Sequence, residues 1–247
     1  MCAVSDEAFT QGDVPAPKGA AIDAAELERH AIGIAQRGAD LVRTRLGGAV
    51  SLRAKSSPTD VVTQTDLDVE MLIRRSLLEV TPDAGIIGEE EGARSSSATL
   101  QWIVDPLDGT VNFLYGLPVC AVSIAAARDG AVIAGAVADV LRGEMFSACA
   151  GGGARLDGRP IAARDGASLA DALVTTGFSY RAEMRERQGR VFQRLLPNVR
   201  DIRCFGSAAL QLCWVGAGRV DAYFERDTKL WDYAAGALVA REAGAQT

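Results

Sequence analysis

The stretch LQWIVDPLDGTVNFLYG, Leu100 to Gly116, decides how the rest of the chain is read. Gln101 to Val104 form a short apolar strand, and it runs straight into two aspartates, Asp105 and Asp108. Like charges this close raise each other's pKa and cost stability unless a cation neutralises them. Pro106 fixes φ for a tight turn between them, and Gly109 lets backbone approach a ligand closely. Thr110 is expected to cap a short helical segment. The amides of Gly109 and Thr110 would then point outward at a helix N-terminus, where phosphate binds readily.

Other acids also fall at element ends. Glu89 and Glu90 follow the apolar run AGII, Asp66 lies in the first turn of a helix, and Asp232 opens the last helix in LWDYAAG. Taken singly, each has a plain reading as a solvated turn or a helix cap. Taken together, acids at four element ends can be aimed at one point by a rigid scaffold. Such a cluster predicts a divalent-metal cage. Two metals beside an anion hole describe a phosphoryl-transfer site, with both the entering and the leaving oxygen clamped.

Composition narrows the chemistry. The chain has one histidine, His30, so a His/Cys zinc site or a histidine general base is not expected. Carboxylates must then do the work, and they prefer hard cations such as Mg²⁺ or Mn²⁺. The net charge of −6 argues against nucleic acid or an anionic membrane as partner. The five cysteines form no CxxC pair and read as reduced, mostly buried thiols of a cytoplasmic protein. No basic region followed by an apolar run opens the chain, so no signal peptide is expected, and no apolar stretch is long enough to span a membrane.

Along the chain, residues 1–21 read as a disordered tail. Apolar residues recur at helical spacing from Asp23 to Leu46. RAKSSPTD, Arg53 to Asp60, reads as a loop. A second helix covers Thr63 to Val80, with Thr63 and Asp66 spaced as a capping box. From Val122 to Cys149 the pattern is β, with Asp129-Gly130 as a hairpin turn. GGGARLDGRPI reads as a glycine-rich turn region and not as a phosphate loop. Strands and helices then alternate: ALVTTGF, Arg181 to Leu195, VRDIRC, Ser207 to Ala217, RVDAYFE and Leu230 to Ala243. This predicts an α+β portion, 22–160, carrying most of the metal acids, and an α/β portion, 161–247, carrying Asp232 and Glu225. In DAYFE the period of two places Tyr223 and Glu225 on one face.

With GEE (Gly88 to Glu90), WIVDPLDGTVNF (Trp102 to Phe113) and WDYAAGALVAREAGA (Trp231 to Ala245) in this order, the chain resembles the inositol monophosphatase family, in particular its bacterial SuhB-type members. AKSSPTDVVTQTD and RCFGSAALQLCWVGAGRVDAYFE look like the same family, and the resemblance covers Asp23 to Ala245. It implies a layered αβαβα sugar-phosphatase fold, Mg²⁺-dependent hydrolysis of myo-inositol 1-phosphate by a metal-activated water, and a homodimer. It implies Glu89, Asp105, Asp108 and Asp232 as metal-ligating side chains and Leu107 as a carbonyl ligand. Asp66 and Thr110 would orient the attacking water, and the Gly109 and Thr110 amides would hold phosphate. Glu225 and the backbone of Ala208 would bind the sugar together with Asp232, and Lys55 and Asp60 would sit on a mobile loop. Family chains run some tens of residues past the last helix, so further C-terminal strands and a helix are expected to be missing from this sequence.

The haloacid-dehalogenase motif D-x-D-G-T places one residue between its acids, not two, and lies on the first strand. Phosphatases of histidinol phosphate, fructose 1,6-bisphosphate or 3′-phosphoadenosine phosphate share the metal acids and stay open as alternatives. So does a regulatory protein that binds transcription or ribosomal machinery.

Overall fold

The computed structural model describes residues 22–48, 52–57 and 60–246, with the side chains of 51–60 outside the description. The expected tail, 1–21, lies outside the described residues. Helix α1 (Ala24–Arg45) starts where Asp23 accepts a hydrogen bond from the Glu26 amide, and it buries Leu27, Ala31, Ile34, Ala35 and Val42. That is the i, i+4, i+7 stripe of a core-facing helix. Helix α2 (Gln64–Val80) opens with the expected capping box between Thr63 and Asp66.

An antiparallel hairpin, β1 (Leu52–Ser57) with β2 (Asp60–Thr63), occupies most of the segment read as a loop. The Ser-Ser-Pro-Thr-Asp run that reads as loop extends from the end of β1 to the start of β2. An eight-stranded sheet follows, in the order β10-β9-β8-β7-β6-β5-β3-β4. Its strands are β3 (Gly85–Gly88), β4 (Gly92–Arg94), β5 (Leu100–Asp108), β6 (Ala121–Arg128), β7 (Ala131–Asp139), β8 (Met145–Cys149), β9 (Gly153–Leu156) and β10 (Arg159–Pro160). Asp129 and Gly130 both take positive φ and close the β6–β7 hairpin, as the sequence predicts. The glycine-rich segment read as turn contains the short pair β9–β10: Gly151, Gly152 and Gly158 lie in the turns, while Gly153 opens β9 opposite Cys149.

Both faces of this sheet are buried. Trp102, Val104, Val122, Ile124 and Ala126 pack under α1 and α2. Ile103, Ala121, Ala125 and Ala127 pack under α5 (Ala208–Gly216) and α6 (Leu230–Glu242). Alternate residues of one strand serve opposite helix layers, which explains the unbroken apolar runs. A second sheet, three parallel strands in the order β12 (Asp201–Cys204), β11 (Leu173–Thr176), β13 (Ala222–Phe224), lies beyond α5. Helix α4 (Ala182–Leu195) covers it, with Phe192 stacked on Phe224 at 5.6 Å. The layers run αβαβα, a mixed α/β architecture.

Trp102 is wholly buried and its indole N–H donates to the Thr81 hydroxyl at 2.9 Å. Trp102→Ala is expected to lower unfolding free energy by about 3–5 kcal/mol. Urea denaturation checks this, and a loss below about 1 kcal/mol would mean the strand does not anchor the core.

Candidate active site

Strand β5 continues through both aspartates, where the sequence suggested that it stops before them. Asp105 pairs with Ser123 and Asp108 with Ala121, so three steps on β5 face two on β6. That is a β-bulge. Pro106, with no N–H to give the ladder, sits inside it. The Leu107 amide instead donates to Asp105 Oδ1 at 3.0 Å. On a regular strand residues 105 and 108 would point to opposite faces. The bulge sends Leu107 into the core beside Trp102 and Val104 and brings Asp108 onto the α5/α6 face that Asp105 already shares with Ile103.

Both acids face a cavity of about 500 Å³, which Glu89, Gly109, Thr110, Ala208, Glu225 and Asp232 also line. Asp108 sits against the start of α5, accepting from the Ser207 hydroxyl at 2.5 Å and from the amides of Ala209 at 2.8 Å and Ala208 at 3.2 Å. A carboxylate is favoured there by the unpaired amides of the helix end. Asp232, in the first turn of α6, accepts from the Lys229 amide at 2.6 Å. Glu225 follows β13 and accepts from the Tyr223 hydroxyl at 2.9 Å, so the two share a face as expected.

Thr110 differs from its expected role. The N-cap of helix α3 (Thr110–Tyr115) is Gly109, and no side chain caps the helix. The Thr110 hydroxyl is engaged elsewhere, 3.0 Å from both Asp66 Oδ1 and the Leu107 carbonyl. Gly109 has φ of 95°, and a Cβ there would come within 2.9 Å of the Val119 carbonyl. No other residue takes that place without strain. Asp66 is fully buried and does not line the cavity; it stands behind Thr110, its other oxygen held by the amide of Thr63 at 2.9 Å and by the Thr63 hydroxyl. Glu90 does not line the cavity either. Lys55 and Asp60 have side chains outside the described residues.

The electrostatics match the geometry. Burial, then repulsion from Glu89, Asp108 and Asp232, pushes Asp105 well above the usual carboxylate range. Burial lifts Asp108 to about 7 against the opposing Ser207 hydrogen bond, with Asp232 adding repulsion. Burial also lifts Asp232 to about 7, with Glu89 and Glu225 adding to it. Among the described residues no three acids stand close enough together to enclose an ion as they are. Asp108 and Asp232 are turned instead to amide and hydroxyl donors of the fold. The donor set still fits a hard cation: four converging carboxylates whose mutual repulsion a divalent charge would remove.

Several cavity residues were not singled out from the sequence. Ser207 holds Asp108, and its only sequence signal is its place before a helix. Arg181, Arg226, Phe178 and Tyr180 line the cavity as well, and Arg181 is paired to Asp227 at 2.7 Å. Nothing in their local sequence marks them. Among the described residues no helix is long and apolar enough to cross a membrane.

The model of the inositol monophosphatase family matches residues 23–247. The chain is 48% identical over 208 residues to a Mycobacterium bovis protein named inositol-1-monophosphatase, covering 81% of this chain and 72% of that one. It is 42% identical over 190 residues to a Pasteurella multocida protein named Nus factor SuhB, covering 76% and 71%. The solved structure of Mycobacterium tuberculosis SuhB superposes with a TM-score of 0.80 at 42% identity, covering 91% and 86%.

A folded acid that holds its proton up to about 7 binds it more tightly than the unfolded chain, where aspartate titrates near about 3.9. Asp108 and Asp232 therefore cost no stability below about pH 4 and cost progressively more as pH rises through about 7. The metal-free protein is expected to melt several degrees lower at about pH 8 than at about pH 5.5. Thermal unfolding in a chelator checks this, and a melting temperature that rises over the same span would contradict it.

Proposed function

The chain belongs to the inositol monophosphatase family, and on that premise we propose that it hydrolyses myo-inositol 1-phosphate with Mg²⁺, which Mn²⁺ can replace. The observation that carries the proposal is the convergence of Glu89, Asp105, Asp108 and Asp232 on one cavity, backed by the Thr110–Asp66 pair. The four carboxylates and the Leu107 carbonyl would hold the ions. Bound there, divalent cations supply charge neutralisation at the phosphate and an acidified water.

The chain's own groups do the rest. Thr110 donates its proton to Asp66 Oδ1, which leaves the lone pairs of its oxygen to accept from a water on the cavity side. Asp66, locked by Thr63, fixes that hydroxyl and takes up the proton that the water gives through it. The amides of Gly109 and Thr110 hold the phosphate oxygens. The water oxygen bonds to phosphorus as the phosphorus–ester oxygen bond breaks, and the departing inositol oxygen takes a proton from solvent. Asp105 and Asp108 would hold the cations, so neither would be free as a nucleophile and no phosphoenzyme is expected. Glu225, Asp232 and the Ala208 backbone bind ring hydroxyls. Portion 22–160 thus brings most of the ion-binding acids, and 161–247 brings Asp232 and the sugar site. We further propose a homodimer acting in the cytoplasm.

A second reading, a regulatory protein, rests on the Pasteurella multocida relative being named a Nus factor. The complete acid set in this chain favours catalysis.

Three outcomes test the proposal. Phosphate release from myo-inositol 1-phosphate is expected to stop in EDTA and return with Mg²⁺. Asp108→Asn is expected to lower kcat/KM by about 100-fold or more. Full turnover in EDTA would refute the metal-dependent reading. Glu225→Gln is expected to lower kcat/KM for the inositol ester by roughly 10- to 100-fold while hardly changing hydrolysis of a simple aryl phosphate. Equal losses on both substrates would place Glu225 in the ion site or the fold instead of the sugar site.

A further inference from the structure

Helix α2 carries two fully buried acids one turn apart, Asp66 and Glu70. Residues at i and i+4 share a helix face. Asp66 reaches Thr110, and Glu70 reaches the turn between β3 and β4. The Glu70 carboxylate accepts from the Glu90 amide at 2.7 Å and from the Glu91 amide at 3.0 Å. Arg74, one turn further on, donates its Nε to Glu70 Oε1 at 2.7 Å and an Nη2 proton to the Gly92 carbonyl. The two amides that Glu70 grips directly follow Glu89, whose own amide bonds the Val104 carbonyl of β5 at 3.2 Å. Glu89 is thus fixed from both sides.

The backbone has been cleared for this contact. A Cβ on Gly88 would fall 2.1 Å from Glu70 Oε1, so a larger residue there would drive the carboxylate off the two amides. A buried ion pair such as Glu70–Arg74 is weak evidence for stability, because desolvation offsets much of its attraction. The position of the pair, under the turn that bears a cavity acid, calls for another role. Groups that orient ion ligands commonly control affinity without touching the ion.

We propose that Glu70 is a positioning residue: oriented by Arg74, its carboxylate clamps the amides of Glu90 and Glu91 and so holds Glu89 aimed into the cavity. The inference rests on the proposed ion-dependent reading of the site. Glu70→Gln keeps the shape of the side chain but replaces one acceptor oxygen by a donor, so one of the two amides loses its partner. Gly88→Ala leaves Glu70 intact and displaces it.

The test is Mn²⁺ titration of the metal-free protein, followed by calorimetry and by the electron paramagnetic resonance of the free ion. Each variant is first shown to be folded by circular dichroism. Both variants are expected to bind Mn²⁺ about 10-fold more weakly or worse. Glu28→Gln is the control. Glu28 is another buried acid, with its carboxylate 2.7 Å from the Ser147 hydroxyl on the α1 side of the sheet. That variant is expected to lose thermal stability and keep wild-type Mn²⁺ affinity. If wild-type protein fails to bind Mn²⁺, the ion-dependent reading itself falls. If wild-type protein binds and both Glu70→Gln and Gly88→Ala bind equally well, Glu70 is structural only and the inference is overturned.

Discussion

Two aspartates on one strand must point the same way although they stand three residues apart, and the β-bulge at Asp105–Asp108 is what lets them. It shifts the register against β6 by one residue, buries Leu107 on the α1/α2 side and brings Asp108 to the α5/α6 face where Asp105 already lies. Other features of the cavity depend on that geometry. Asp108 can meet the N-terminus of α5 only from this face, and Gly109 must then turn with positive φ to start α3 against the Val119 carbonyl. Thr110 comes to lie over Asp66 for the same reason.

The arrangement opposes folding where it serves function. Burial and mutual repulsion hold protons on Asp105, Asp108 and Asp232 well beyond the ordinary carboxylate range. The cost is borne by a sheet packed on both faces, whose core includes Trp102, Ile124, Phe146, Leu210 and Leu238. The scaffold brings the acids to one cavity, and Asp108 and Asp232 must still turn from the amide and hydroxyl donors of the fold to meet an ion. Helix α2 contributes from behind, since Asp66 and Glu70 hold two different parts of the cavity wall from one helix face.

Much of this was legible in the sequence. Helical spacing marked α1, the Thr63–Asp66 capping box marked the start of α2, Asp129-Gly130 marked a hairpin, and Glu89, Asp105, Asp108 and Asp232 among the acids at element ends do line one cavity. What was hidden has physical reasons. The β1–β2 hairpin alternates only over Leu52 to Lys55, too short a run to stand out beside the turn-like Ser56-Ser57-Pro58-Thr59-Asp60. The bulge depends on pairing with β6, which a local reading of DPLD as a turn does not include. Ser207 and Glu70 matter through partners that are 99 and 20 residues away, and no local pattern encodes those distances. Thr110 looked like a helix cap because its neighbours fit that role, but a buried carboxylate from another helix competes for its hydroxyl and wins.

Acids that repel one another across one cavity are proposed to take up a divalent cation. The most direct measurement is calorimetric titration of Mg²⁺ into chelator-stripped protein at about pH 7, in two buffers of different ionisation enthalpy. Binding is expected to be accompanied by proton release, since ions would displace the protons that Asp108 and Asp232 hold up to about 7. Absence of binding, or binding with the same observed enthalpy in both buffers, would contradict it.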